Sequence, residues 1–172
     1  MAGGNQRADR LRELRERTRL APGSREEAEC GRAYEAFQPL NREVLQLCTD
    51  WQVRPGGAPN DHDDAAYDWS VIDRLEALDN RAGPLLRRLA GAAPRFAPYR
   101  DRLRDAFRRV ADGGREWLTS PRVDSYHTVW MELHEEMLAA LGLERRDDGG
   151  FADRRRKAGA GDGDNEADVE PQ

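Results

Sequence analysis

Apolar residues fall into four long runs at alternating steps of three and four, the spacing that puts side chains on one face of an α-helix. The first run is Cys30, Ala33, Phe37, Leu40, Val44, Leu47 and Trp51. Ser24, with Glu27 three residues on, predicts a capped start for it. Pro39 lies inside the stripe, and the unbroken apolar phase favours a kink there over a new helix. The second run, within Tyr67 to Ala90, is Val71, Leu75, Leu78, Ala82, Leu85 and Leu89, with Gly83-Pro84 marking another kink or break. Asp61, Asp63 and Asp64 precede it, where carboxylates suit a helix N-terminus. The third, within Pro94 to Leu118, is Phe96, Tyr99, Leu103, Phe107 and Val110, and Gly113-Gly114 ends it. In the fourth, Val123, Tyr126, Trp130, Leu133, Met137 and Leu141 predict a helix from Ser120 to Leu143, with Ser120 as its cap and Pro121 in its first turn. Glu132, Glu135 and Glu136 fall on its polar side, and His127 and His134 on the edge of its apolar stripe. With no period-two alternation to compete, the pattern predicts an all-α fold, a bundle of four long, amphipathic, partly kinked helices.

Between the first two helices, VRPGGAPNDHDDA reads as a loop punctuated by Pro55, Gly56, Gly57 and Pro59. The ends of the chain differ from its middle. Residues 1–25 carry seven arginines against three acids and a thin leucine stripe, which reads as a basic flexible arm. Residues 26–143 form the bundle domain. Residues 144–172 are rich in Arg, Asp and Gly, with Phe151 the one aromatic, and cannot bury enough apolar surface to order themselves, so a disordered charged tail is expected.

Charge narrows the function classes. The whole chain of 172 residues has a formal charge of −5, and residues 26–143 hold 15 basic and 21 acidic side chains. An acidic domain repels phosphate, so specific duplex-DNA binding by this chain alone is not expected, although the arm allows weak, salt-sensitive contact. Of the 28 basic residues only Lys157 is a lysine, which reads as a genomic coding bias more than a nucleic-acid signature. No run reaches the ~18 apolar residues of a membrane helix, and the N-terminus lacks the apolar stretch of a secretion signal. Cys30 and Cys48, 18 residues apart on one helix, would lie roughly 27 Å apart, too far for a disulfide. A cytoplasmic protein with no cofactor is the expectation.

Two constellations are candidates for chemistry. Trp51, Trp69, Tyr126 and Trp130, with Asp79, His127 and His134, are the mix of aromatic and polar groups that lines a small-molecule pocket. The same residues also make a plain core, and the four tryptophans, Trp51, Trp69, Trp117 and Trp130, could line a homodimer seam. The second constellation is His62, His127 and His134 as metal ligands, beside Asp61, Asp63, Asp64, Asp68 or Asp79, which would make a metal-dependent bundle enzyme. Its spacing is poor. His127 and His134 are seven apart, roughly 10 Å along a helix, whereas converging ligands sit three or four apart. Hydrogen-bonded core histidines, one of them held by Asp79 or Asp50, are the simpler reading. No nucleophile–base pair and no phosphate-cradling glycine loop accompanies them.

The strings YEAFQPLN from Tyr34, CTDWQVR from Cys48, NDHDDAAYD from Asn60 and VDSYHTVWMELHEEMLAALG from Val123 resemble the helical region after the winged-helix head in actinobacterial MarR-like transcriptional regulators. The resemblance covers roughly residues 34–143 and assigns no site residues. It implies an effector or dimerisation module that senses a small ligand or pairs with a protein partner. A winged-helix head needs ~60 residues, and 33 precede Tyr34, so the DNA-reading unit is expected to be absent, with RTRLAPGSREEAE as a remnant of its wing and following helix.

Overall fold

The computed structural model describes residues 19–143. Their elements are α1 (Arg25–Gln52), α2 (Ala65–Ala92), a 3-10 turn (Pro94–Phe96), α3 (Pro98–Ala111), a single-turn α4 (Glu116–Thr119) and α5 (Tyr126–Leu141). The expected all-α bundle with four long helices is what these residues form. The charged tail, expected to be disordered, and all but the last residues of the basic arm lie outside the described residues. Of the described arm, Leu20 is not helical; its N–H donates to the Ala140 carbonyl at 2.8 Å, which ties the chain to the end of α5.

Local chemistry sets the helix bounds. Ser24 caps α1, its Oγ accepting the Glu27 N–H at 3.0 Å, while the Glu27 carboxylate accepts the Gly23 N–H at 2.7 Å. Asp64 caps α2 by accepting the Tyr67 N–H at 3.1 Å. That bond and Arg54 hold the Asp64 carboxyl below its ordinary range. Both long helices run unbroken through their prolines, Pro39 and Pro84. Each proline is exposed, so no buried N–H is missed at either position.

The start of the last helix differs from the expectation. Residues 121–124 form a turn, and Ser125 is the cap, its Oγ accepting the Thr128 N–H at 3.2 Å. Ser120 instead accepts from the Arg122 N–H at 3.2 Å, within the turn. Two capping serines five residues apart fit the same apolar phase. The outer one is used for the turn, where Arg102 also holds Asp124 at 3.1 Å.

Cross-helix contacts give the topology. Arg81–Glu43 and Arg74–Asp50 set α2 antiparallel to α1. Tyr99–Glu136 and Arg102–Glu132 set α3 antiparallel to α5, and Phe37–His134 with Asn41–Trp130 do the same for α5 against α1. With α2 also packed on α3, the bundle is up-down-up-down, α2 and α5 lying on the diagonal. α5 is the most enclosed helix: only Glu132 and Glu135 of its residues are exposed. Glu136, expected on the polar side, is half-buried and accepts the Tyr99 hydroxyl.

Candidate functional site

Four of the seven expected pocket residues do come together, as packed core. Trp130 is fully buried, its ring stacked 4.7 Å from Phe37 and 6.1 Å from Tyr126. Its indole Nε1–H donates to Asn41 Oδ1 at 3.0 Å, the partner a buried indole requires. The Tyr126 hydroxyl donates to Asp79 Oδ1 at 3.1 Å, across the bundle diagonal. Burial raises the Tyr126 phenol well above its ordinary value and raises the Asp79 carboxyl as well. His134 is buried, with ring centroids 5.1 Å from Phe37 and 6.0 Å from Tyr34.

The other three lie elsewhere. His127 is half-buried, and desolvation lowers its pKa. Trp51 is buried at the end of α1, and Trp69 is 52% exposed on α2. The expected tryptophan seam is reduced accordingly. Trp51 and Trp130 are spent on the core, and Trp117 is half-buried beneath the Arg109 guanidinium, 4.2 Å from its ring. Asp79 serves Tyr126 and Asp50 serves Gln46 and Arg74, where the sequence had offered both to a histidine.

One histidine–carboxylate pair forms at His62. Its Nδ1 lies 2.9 Å from Asp68 Oδ2, and its ring packs 4.5 Å from Trp51. Asn60 completes the knot, its amide donating to the Trp51 carbonyl and to Asp68 Oδ1, each at 3.0 Å. Arg115, from the start of α4, donates to the His62 carbonyl at 2.9 Å. These bonds hold His62 at a φ of 64°, a left-handed backbone that costs a non-glycine residue roughly 1–2 kcal/mol. The knot seals the α1–α2 loop and fastens it to α4. The carboxylate at Nδ1 fixes the orientation of the imidazole ring.

The metal trio is not assembled. Among the described residues no group of three or more His, Cys, Asp or Glu is placed to hold an ion. His62 is in the loop knot, while His127 and His134 sit two turns apart on α5. Cys30 and Cys48 are free and buried, and burial pushes each thiol up to about 12, so neither supplies a thiolate.

Concave surface appears where no motif pointed to a site. In the register fixed by Glu43–Arg81 and Asp50–Arg74, Pro39 and Pro84 fall opposite each other on α1 and α2. They flank a groove of about 310 Å³, with Ala33, Ala36, Leu40 and Leu85. A bidentate Arg81–Glu43 pair stands at the rim, one of its bonds at 3.0 Å, and holds the Glu43 carboxyl below its usual range. Arg88, also on the rim, reaches Glu29 at 3.7 Å. Alanines and proline rings thus make up part of its wall.

No protein-family model matches the chain, and comparison with curated proteins and with solved structures finds no match.

Proposed function

We propose that this chain is a non-enzymatic helical recognition module of the transcriptional-regulator type, which senses a small molecule held in the α1–α2 groove. The single observation that carries the reading is the pair of facing prolines flanking that groove. Its volume falls in the range of ligand sites, its walls are mostly apolar, and a few charged groups stand at its rim to orient a polar end. The chemistry-bearing side chains support the same reading. His62, Asp68, Asp79, Tyr99 and Glu136 all make hydrogen bonds that join separate elements of the fold. Association with a regulator rests on the resemblance of the four strings.

The test uses the amphiphilic dye 1-anilinonaphthalene-8-sulfonate as probe. Its emission should saturate with one dye per chain, and Ala36→Trp, which fills the groove from an exposed position, should weaken binding at least about tenfold while leaving the melting curve unchanged. Binding unaffected by that substitution overturns the reading.

Self-association is the second reading, favoured by the exposure of Trp69. Light scattering at tens of micromolar should give a dimer for the parent and a monomer for Trp69→Asp; a monomeric parent contradicts it.

A further inference from the structure

A second groove, of about 160 Å³, lies between α2 and α3. Arg87 of α2 and Arg100 and Arg104 of α3 line it, with Asn80, Asp79 and the bare backbone of Gly83. Of the other fourteen described arginines, eight make ion pairs, among them Arg74 with Asp50 and Arg102 with Glu132. Arg87, Arg100 and Arg104 make none among the described residues, although the domain is acidic and carboxylates are plentiful. Arg100 and Arg104 stand one turn apart on the same helix, an arrangement in which like charges repel. Asp79 makes no ion pair with them, although Arg104 and Arg100 favour its charged form. Its carboxylate takes the Tyr126 hydroxyl, and burial outweighs the pull of Arg104 and Arg100 on its proton. Gly83 leaves room: a Cβ there would meet only Arg87 Nη1, at 3.6 Å.

We propose that this groove binds a phosphoryl group, with the Arg87, Arg100 and Arg104 guanidiniums as donors and the Asn80 amide beside them. Three forks from two helices offer donors in several directions, which suits a tetrahedral dianion; a planar carboxylate is served by one fork edge-on. The ligand is inorganic phosphate or a small phosphate monoester, which share this chemistry. The inference is independent of the α1–α2 groove, and the failure of either leaves the other standing.

The experiment is an amide chemical-shift titration of the full ¹⁵N-labelled chain at fixed ionic strength, with inorganic phosphate, glycerol 3-phosphate and succinate. Saturable shifts centred on Asn80 and Gly83 are expected with the phosphates. The double variant Arg100→Gln/Arg104→Gln should bind at least about tenfold more weakly, and Asp79→Asn, which removes the one negative charge in the lining, should bind several-fold more tightly. That gain is one a structural lesion does not produce. Arg108→Gln, an exposed position outside the groove, should bind as the parent does. Tighter binding of the monoester identifies a phosphorylated metabolite, and equal binding identifies free phosphate; both uphold the site. Shifts that never saturate, equal weakening in Arg108→Gln, or succinate binding as tightly as phosphate overturn it.

Discussion

Trp130 and Trp69 are alike in chemistry and opposite in role. Trp130 stacks on Phe37 and Tyr126 and gives its N–H to Asn41, whereas Trp69 stands half in water. Trp130→Ala should therefore cost about 3–5 kcal/mol in chemical denaturation, and Trp69→Ala no more than about 0.5 kcal/mol. Similar losses at the two positions would contradict the packing described. Asp79 gives a pH signature. Burial raises its carboxyl above the ordinary 3.8, so the folded chain holds that proton more tightly than the unfolded one. Stability linked to this group is fully present in acid and is lost as pH rises through the raised folded value. Asparagine keeps an acceptor for the Tyr126 hydroxyl and removes the charge. Asp79→Asn should melt above the parent near pH 7, and the gap should close towards about pH 4. A lower melting point at pH 7 would show that the charged form is stabilised instead.

At the scale of elements, helix periodicity and proline position were legible, because a buried stripe leaves its 3.6-residue period in the sequence. The start of α5 was not. Ser120-Pro121 and Ser125 both satisfy the chemistry of a cap, and tertiary contacts choose between them. The contrast is measurable: Ser125→Ala should cost about 0.5–2 kcal/mol, while Ser120→Ala should be nearly neutral. The reverse order would restore the longer helix. The inward position of His134 was legible from its phase, but the His62–Asp68 knot was not. It depends on a left-handed residue within a loop, and neither loop geometry nor partner choice has a period. The groove was not legible, although its two prolines were. An antiparallel hairpin turning near residue 61 brings Pro39 and Pro84 opposite each other, a symmetry visible once the register is known.

For the molecule as a whole, the packed interior is separate from the two grooves proposed as binding sites. The diagonal from Tyr34 through Phe37, Trp130 and Tyr126 to Asp79 fills the interior, and the loop knot at His62 closes one end. The two proposed binding sites lie at the surface, one groove lined by the two prolines and the other by arginines that make no ion pair among the described residues. The central claim is that a small ligand enters between α1 and α2. Methyl-resolved NMR of the full chain, titrated with 1-anilinonaphthalene-8-sulfonate, tests it most directly. Saturable shifts should concentrate on the methyls of Ala33, Ala36, Leu40 and Leu85, with those of Leu118 and Val123 unmoved. Shifts concentrated near Trp51 and His62, or spread evenly over the bundle, would contradict it.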